Sequence, residues 1–145
     1  MLHKKCKTCP LLVQEGETFN INGKIVKAPP GQHCKQQNVV YLGQCQICSD
    51  SDENTYAGKS MQKCHKRMNG HRSHFKPDDQ ESVEKSALSL HAQEVHKRDF
   101  DLNNYKLMIY KKTNNPRNLH RLESLAIGEL RTNILGLNRM NTQKL

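Results

Sequence analysis

The sequence predicts an α+β domain: a small three-stranded antiparallel sheet flanked by helices, in the order β-β-α-α-β-α. Three observations carry this. Asn38 to Cys45 and Thr55 to Gly58 are rich in β-formers and flank the polar turn Asp50-Ser51-Asp52-Glu53-Asn54, as the arms of an antiparallel hairpin do. Tyr105-Lys106-Leu107-Met108-Ile109-Tyr110 alternates like a third strand. Three further segments repeat apolar residues at helical spacing.

Residues 1–36 read as a loop-rich, cysteine-containing arm, with turn signals at Glu15-Gly16, Asn22-Gly23 and Pro29-Pro30-Gly31. Thr18 to Val26 fits a small hairpin around Asn22-Gly23. The domain proper covers residues 37–142. After its first hairpin, Ser60 is an expected N-cap, and Met61, Cys64, Met68, His71 and Phe75 follow at helical spacing. Pro77-Asp78-Asp79 ends that helix. A second helix is expected from about Ser82 to Glu94, with Val83, Ala87, Leu90 and His91 on one face. Beyond the third strand, Asn114-Asn115-Pro116 is a turn that places Pro116 near the first position of the last helix. Leu119, Leu122, Ala126, Ile127 and Leu130 form its apolar stripe. No internal repeat or low-complexity tract interrupts this order.

The chain has 145 residues, of which 34% are hydrophobic and 5% aromatic, with no Trp, so the core is expected to be thin. No run approaches the roughly 18 apolar residues of a membrane span, and the first residues lack the apolar segment of a secretory signal. The chain is therefore read as intracellular, without a membrane partner. Lys+Arg number 23 against 14 Asp+Glu, a formal charge of +9. That excess favours a polyanionic partner, nucleic acid first and an anionic membrane surface second, with a solvated basic surface as the alternative that charge leaves open. Six cysteines in a reducing compartment favour metal binding over disulfides, and Cys6-x2-Cys9 and Cys45-x2-Cys48 have zinc-type spacing.

Glu123 is the sharpest anomaly. It lies roughly 40° from the centre of the last helix's apolar stripe, against roughly 80° for Glu129. A carboxylate turned inward is costly unless it is paired or binds a metal. The stripe alone leaves both readings open: a salt bridge to a neighbouring Arg or Lys, or a functional carboxylate. Arg67 and His71, four apart on the first helix, can grip a phosphate or form an ordinary basic face, with His71 as a core residue. Tyr41 and Tyr56 on the hairpin strands are either paired hydroxyls near a phosphate or plain cross-strand packing. Gly58, before Lys59-Ser60, permits close backbone approach at an expected helix start. Cys64, on the apolar stripe of the first helix, reads as a small core residue.

Taken together, Val39-Val40-Tyr41, Tyr56-Ala57-Gly58-Lys59-Ser60, Arg67-x3-His71, Glu123 and downstream Asn138 resemble the GIY-YIG nuclease superfamily. The set is most similar to the endonuclease domain of Penelope-like retroelements, whose pattern Ser86-Ala87-Leu88-x2-His91-Ala92-x3-His96 and Leu137-Asn138-Arg139 also resemble. The resemblance covers about residues 38–141. Val39 stands where the family has Gly, and Ala57 where it has Ile; both positions concern strand packing. The resemblance implies a metal-dependent DNA endonuclease. By position, Tyr41 would be the general base or water-orienting group, with Tyr56 supporting it. Arg67 would bind the scissile phosphate, and His71 would assist proton transfer or phosphate contact. Glu123 would hold one divalent cation, Mg²⁺ or Mn²⁺. Lys59, with Lys63, Lys66 and Arg72 of the basic helix, would contact DNA. If the chain is a piece of a larger retroelement protein, the resemblance implies a preceding reverse transcriptase and a nuclear setting.

The resemblance also supports a structural Zn²⁺ held by Cys45, Cys48, His91 and His96. His residues five apart on a helix point roughly 140° apart, so the helix must unwind between His91 and His96, or His91 is a core residue. Cys6, Cys9 and Cys34 suggest a second zinc site, with His33 or His3 as fourth ligand. Two other readings stand beside the nuclease: a zinc-stabilised nucleic-acid-binding module without activity, and a disulfide-rich extracellular domain. A binder has no need of Glu123 or of the tyrosine pair.

Overall fold

A computed structural model describes residues 7–46, 54–76, 79–83, 86–95, 102–132 and 136–138 of the chain. The fold is α+β. A hairpin of β1 (Thr18–Ile21) and β2 (Lys24–Lys27) precedes a three-stranded antiparallel sheet of order β4-β3-β5. Its strands are β3 (Val39–Cys45), β4 (Thr55–Ser60) and β5 (Tyr105–Lys112). The helices are α1 (Cys64–Arg72), α2 (Gln80–Val83), α3 (Ala87–Val95) and α4 (Leu119–Leu130). Among the described residues no helix is long and apolar enough to cross a membrane.

β3 is buried along its whole length, and its alternation sorts the core into two sides. Tyr41 and Cys45 face Cys64 and Met68 of α1 and Leu88 of α3. Leu42 lies on the other side with Ala57 and Met108, against Leu130 of α4 and Phe19, Ile21 and Val26 of the small hairpin. Val40 meets Leu119 and Ala126. Fully buried leucines such as Leu42, Leu88, Leu107 and Leu130 each contribute roughly 1.5–3 kcal/mol of transfer free energy. Residues 7–36 thus add directly to the core: Leu11 joins the α1 side, and Val13, Phe19, Ile21 and Val26 the α4 side.

Several element boundaries differ from expectation. Ser60 is the last residue of β4, paired with Val39, and its hydroxyl donates to Gln62 O rather than capping a helix. The ladder with β3 holds the chain extended as far as Ser60, so α1 begins at Cys64 with Lys63 at its N-cap. Met61 is exposed as a result, and α1 ends before Phe75. The second helix is two pieces, α2 and α3, the latter started by Ser86, whose Oγ accepts from Ser89 N–H. Pro116 opens a 3-10 turn capped by the Asn115 side chain, and α4 follows it. β5 carries one extra residue, Tyr110, opposite the step from Val40 to Tyr41.

Both edges of the sheet are closed by a side-chain amide that acts as a peptide unit. On β4, Asn138 Nδ2 donates to Ala57 O at 2.8 Å and its Oδ1 accepts from Ala57 N–H at 2.7 Å. Leu137 N–H donates to Thr55 O alongside. Gly136 permits this approach, since a Cβ there would lie 2.6 Å from Thr55 O. On β5, Gln32 Oε1 accepts from Ile109 N–H and its Nε2 donates to Ile109 O.

Candidate active site

The β3–β4 register places the two tyrosines. Tyr41 is paired with Gly58, and Tyr56 with Gly43, so each ring lies on the same face with a glycine opposite. The rings stand 6.2 Å apart, inclined at 50°. Gly58 is what allows this: a Cβ there would come within 2.5 Å of the Tyr41 ring and hydroxyl and 2.7 Å of the Tyr56 ring. Gly43 is less constrained, its would-be Cβ meeting Leu88 and Leu107 no closer than 3.5 Å. Gly58 therefore serves the ring pair and lies within a strand, not at the helix start expected from Lys59-Ser60.

α1 crosses this face and brings His71 to the phenols. Its Nε2 lies 2.6 Å from Tyr41 Oη, and its ring meets both tyrosines edge-on at 6.0 and 5.9 Å. Its Nδ1 lies 2.7 Å from Ser86 Oγ. Burial, reinforced by the Arg67 and His74 charges, lowers His71 to about 3, so the imidazole is neutral at neutral pH. Burial also drives Tyr41 well above the ordinary phenol value, helped by Tyr56 and Glu123 and opposed by Arg67. The resting group is a phenol.

The unfolded chain takes up a proton at His71 near pH 6.5, whereas the native one holds off to about pH 3. Stability is therefore full above pH 6.5 and is lost as pH falls toward 3. The loss from this group is roughly 3 kcal/mol by pH 4. Guanidinium unfolding at pH 7 and pH 4 measures it. His71→Gln is expected to flatten the dependence by that amount, and an unchanged slope would remove His71 as its source.

Glu123 lies on α4 and is half-buried, and its charge is felt at Tyr41. Burial raises its carboxyl above the usual range, even against the opposing influence of Lys59, His120 and Arg67 nearby. Among the described residues it forms no salt bridge, so the paired-carboxylate alternative is not realised there. Glu123 acts on Tyr41, whereas the exposed Glu129 accepts a 3.3 Å bond from Tyr110 Oη. Arg67 is half-buried, and its charge reaches Tyr41, His71 and Glu123 together. Its guanidinium makes no hydrogen bond or salt bridge among the described residues. Lys59 Nζ lies 2.9 Å from His120 Nδ1, in the open. Lys63 and Lys66 are exposed on α1. Arg72 turns to Asn69 and the Lys7 carbonyl at the far end of that helix.

No known protein family, characterised protein or solved structure matches the chain.

Of the expected zinc ligands, Cys45 is buried opposite Tyr105 in the ladder, and the His91 ring meets the Tyr105 ring edge-on at 6.4 Å. One Cys and one His thus border the same side chain. Cys48 and His96 lie outside the described residues. In the N-terminal stretch Cys9 Sγ and Cys34 Sγ are 3.0 Å apart, across 25 residues of sequence. His33 is exposed, with Nδ1 accepting from Lys35 N–H, and Cys6 and His3 lie outside the described residues. Among the described residues no three His, Cys, Asp or Glu side chains converge as a metal site. Cys64 is fully buried in the core.

Sequence reasoning gave no role to two polar residues the structure brings in. Ser86 carried a local signal, an N-capping residue ahead of an apolar run, but its contact with His71 is not local. Asn138 closes β4 from 81 residues away, and no pattern in the sequence announces that pairing.

Proposed function

We propose that the chain is a divalent-metal-dependent DNA endonuclease of GIY-YIG type. The observation that carries this is the electrostatic coupling of two neighbouring tyrosines, a guanidinium that makes no salt bridge among the described residues and a half-buried carboxylate, from four separate elements. A pure binding module gains nothing from a desolvated carboxylate beside a buried phenol. Glu123 suits Mg²⁺ or Mn²⁺: it offers hard oxygen donors, and Mg²⁺ is commonly held by one or two carboxylates while keeping several waters. When bound, such an ion neutralises phosphoryl charge and acidifies a bound water.

The chain's own residues supply the rest. Arg67 presents a planar fork to the oxygens of the scissile phosphate and stabilises the charge that grows there. Tyr41 holds the attacking water by hydrogen bonding, with Tyr56 beside it. Tyr41 rests as a phenol and so serves to orient the water rather than to take its proton. His71 fixes the Tyr41 hydroxyl. Lys59, Lys63, Lys66 and Arg72 follow the DNA backbone, in keeping with the +9 charge. A place within a larger reverse-transcriptase protein, acting in the nucleus, belongs to the same proposal.

The test is nicking of supercoiled plasmid with Mg²⁺ and with EDTA. Open circles are expected with Mg²⁺ only. DNA binding without nicking in Mg²⁺ or Mn²⁺ would overturn the endonuclease and leave the inactive binding module.

A structural Zn²⁺ on Cys45, Cys48, His91 and His96 is part of the proposal, joining the hairpin to α3. Elemental analysis is expected to give about one or more Zn per chain, with Cys45→Ser lowering the count. An unchanged count removes Cys45 from the ligand set. The thiol pair Cys9 and Cys34, with Cys6 and His33, is the corresponding proposal for a second ion.

A further inference from the structure

We propose that Lys59 and His120 form a second phosphate site, beside the one at Arg67 and Glu123, and that Arg117 and Arg121 continue it along the start of α4 as the track of duplex DNA. The proposal rests on the DNA half of the endonuclease reading and deepens it by naming where the strand runs.

The sheet and α4 build the pair. Lys59 is paired with Val40 in the ladder, and Val40 packs on Leu119 and Ala126 of α4. That packing carries the first turn of α4 to β4 and sets Lys59 Nζ 2.9 Å from His120 Nδ1, across 61 residues of sequence. Leu119 is buried in the apolar stripe, whereas His120, Arg117 and Arg121 beside it are exposed.

An ammonium has donors and no acceptor, so Lys59 donates, Nδ1 of His120 accepts, and the ring proton sits on Nε2. The reverse arrangement is closed, because the ammonium has no lone pair to give. What the pair offers a ligand is therefore donors alone: the imidazole Nε2–H and the ammonium N–H bonds that His120 does not use. A donor-only set in the open suits an anion and has nothing for a cation. Among the described residues the one salt bridge joins Lys106 to Glu17, so no acid there neutralises Lys59, Arg117 or Arg121.

His120 precedes Glu123 by three positions, which makes the two neighbours on one face of α4, about 4.5 Å apart along its axis. Successive phosphates of one strand advance by about 3.4 Å along a duplex. A strand whose scissile phosphate lies between Arg67 and Glu123 thus carries its next phosphate toward Lys59 and His120. Lys59, His120 and Arg67 all act on the Glu123 carboxyl, in keeping with one continuous track. Contacts of this kind fix the register of the duplex and read no sequence.

Fluorescence anisotropy of a labelled duplex, titrated with the full-length chain in EDTA at a series of salt concentrations, reads affinity without cleavage. His120→Ala and Arg121→Ala are each expected to lower the slope of log affinity against log salt by about 0.9, a roughly eightfold loss at about 0.1 M salt that closes toward 1 M. Adding His120→Ala to Lys59→Ala is expected to cost less than His120→Ala alone, because one phosphate is shared between them. Lys24→Ala, at an exposed lysine of the small hairpin, is expected to leave affinity and slope unchanged. A wild-type slope in His120→Ala, or an equal loss in Lys24→Ala, overturns the proposal, and strictly additive losses overturn the pair. These dependences in a chain that never nicks DNA in Mg²⁺ sustain the phosphate site and defeat the endonuclease reading. Nicking by a chain whose His120→Ala variant keeps the wild-type slope does the reverse.

Discussion

Glu123→Ala is expected to abolish Mg²⁺-dependent nicking while DNA binding survives. A carboxylate that holds the cation answers for several kcal/mol of transition-state stabilisation, so the rate falls on the order of 10³-fold or more. The fold should tolerate the change. Burial already penalises this carboxylate, and among the described residues it makes no salt bridge that the change would break. Thermal unfolding of the variant, run beside gel-shift and nicking assays, separates loss of chemistry from loss of structure. Equal nicking by mutant and wild type would take Glu123 out of the mechanism.

Arg67→Ala is expected to slow nicking on the order of 10²-fold or more. Its charge acts on three groups of the site at once, so the loss has more than one source. Without it Tyr41 rises further, because Arg67 is the cation opposing burial there, while His71 rises back toward its ordinary value. Arg67→Lys should recover the long-range field but not the two-pronged grip on phosphate. Measured nicking rates should therefore rank wild type above Lys, and Lys above Ala. Arg67→Lys equal to wild type would mean that only charge matters, and Arg67→Ala equal to wild type would end the role.

Much of the frame around these residues was legible in the sequence because its causes are local. The β3–β4 hairpin follows from two runs of β-formers around a polar turn, and the third strand from alternation. α4 follows from its stripe, and the small angular offset of Glu123 within that stripe singled it out from Glu129. The misread features have non-local causes. The start of α1 is set by the pairing of Ser60 with Val39, which outweighs a good capping residue. Gly58 looked like a helix-start glycine, and only the cross-strand register shows that it makes room for two rings. The His71–Ser86 contact joins segments whose meeting depends on how α1 and α3 lie on the sheet. Val13, Phe19 and Val26 gave a hairpin signal but no sign of how much of the core they complete.

The two amide clasps bear on how this molecule meets others. A three-stranded sheet ordinarily leaves two main-chain borders able to recruit a foreign strand, which invites fibril growth or swapped dimers. Here Ala57 and Ile109, one on each border, have both their peptide groups engaged by Asn138 and Gln32. Thr55 O on the β4 border is taken by Leu137 N–H. Neighbours are thereby turned away from the backbone and must be met by side chains, and a chain stripped of either amide regains a sticky rim.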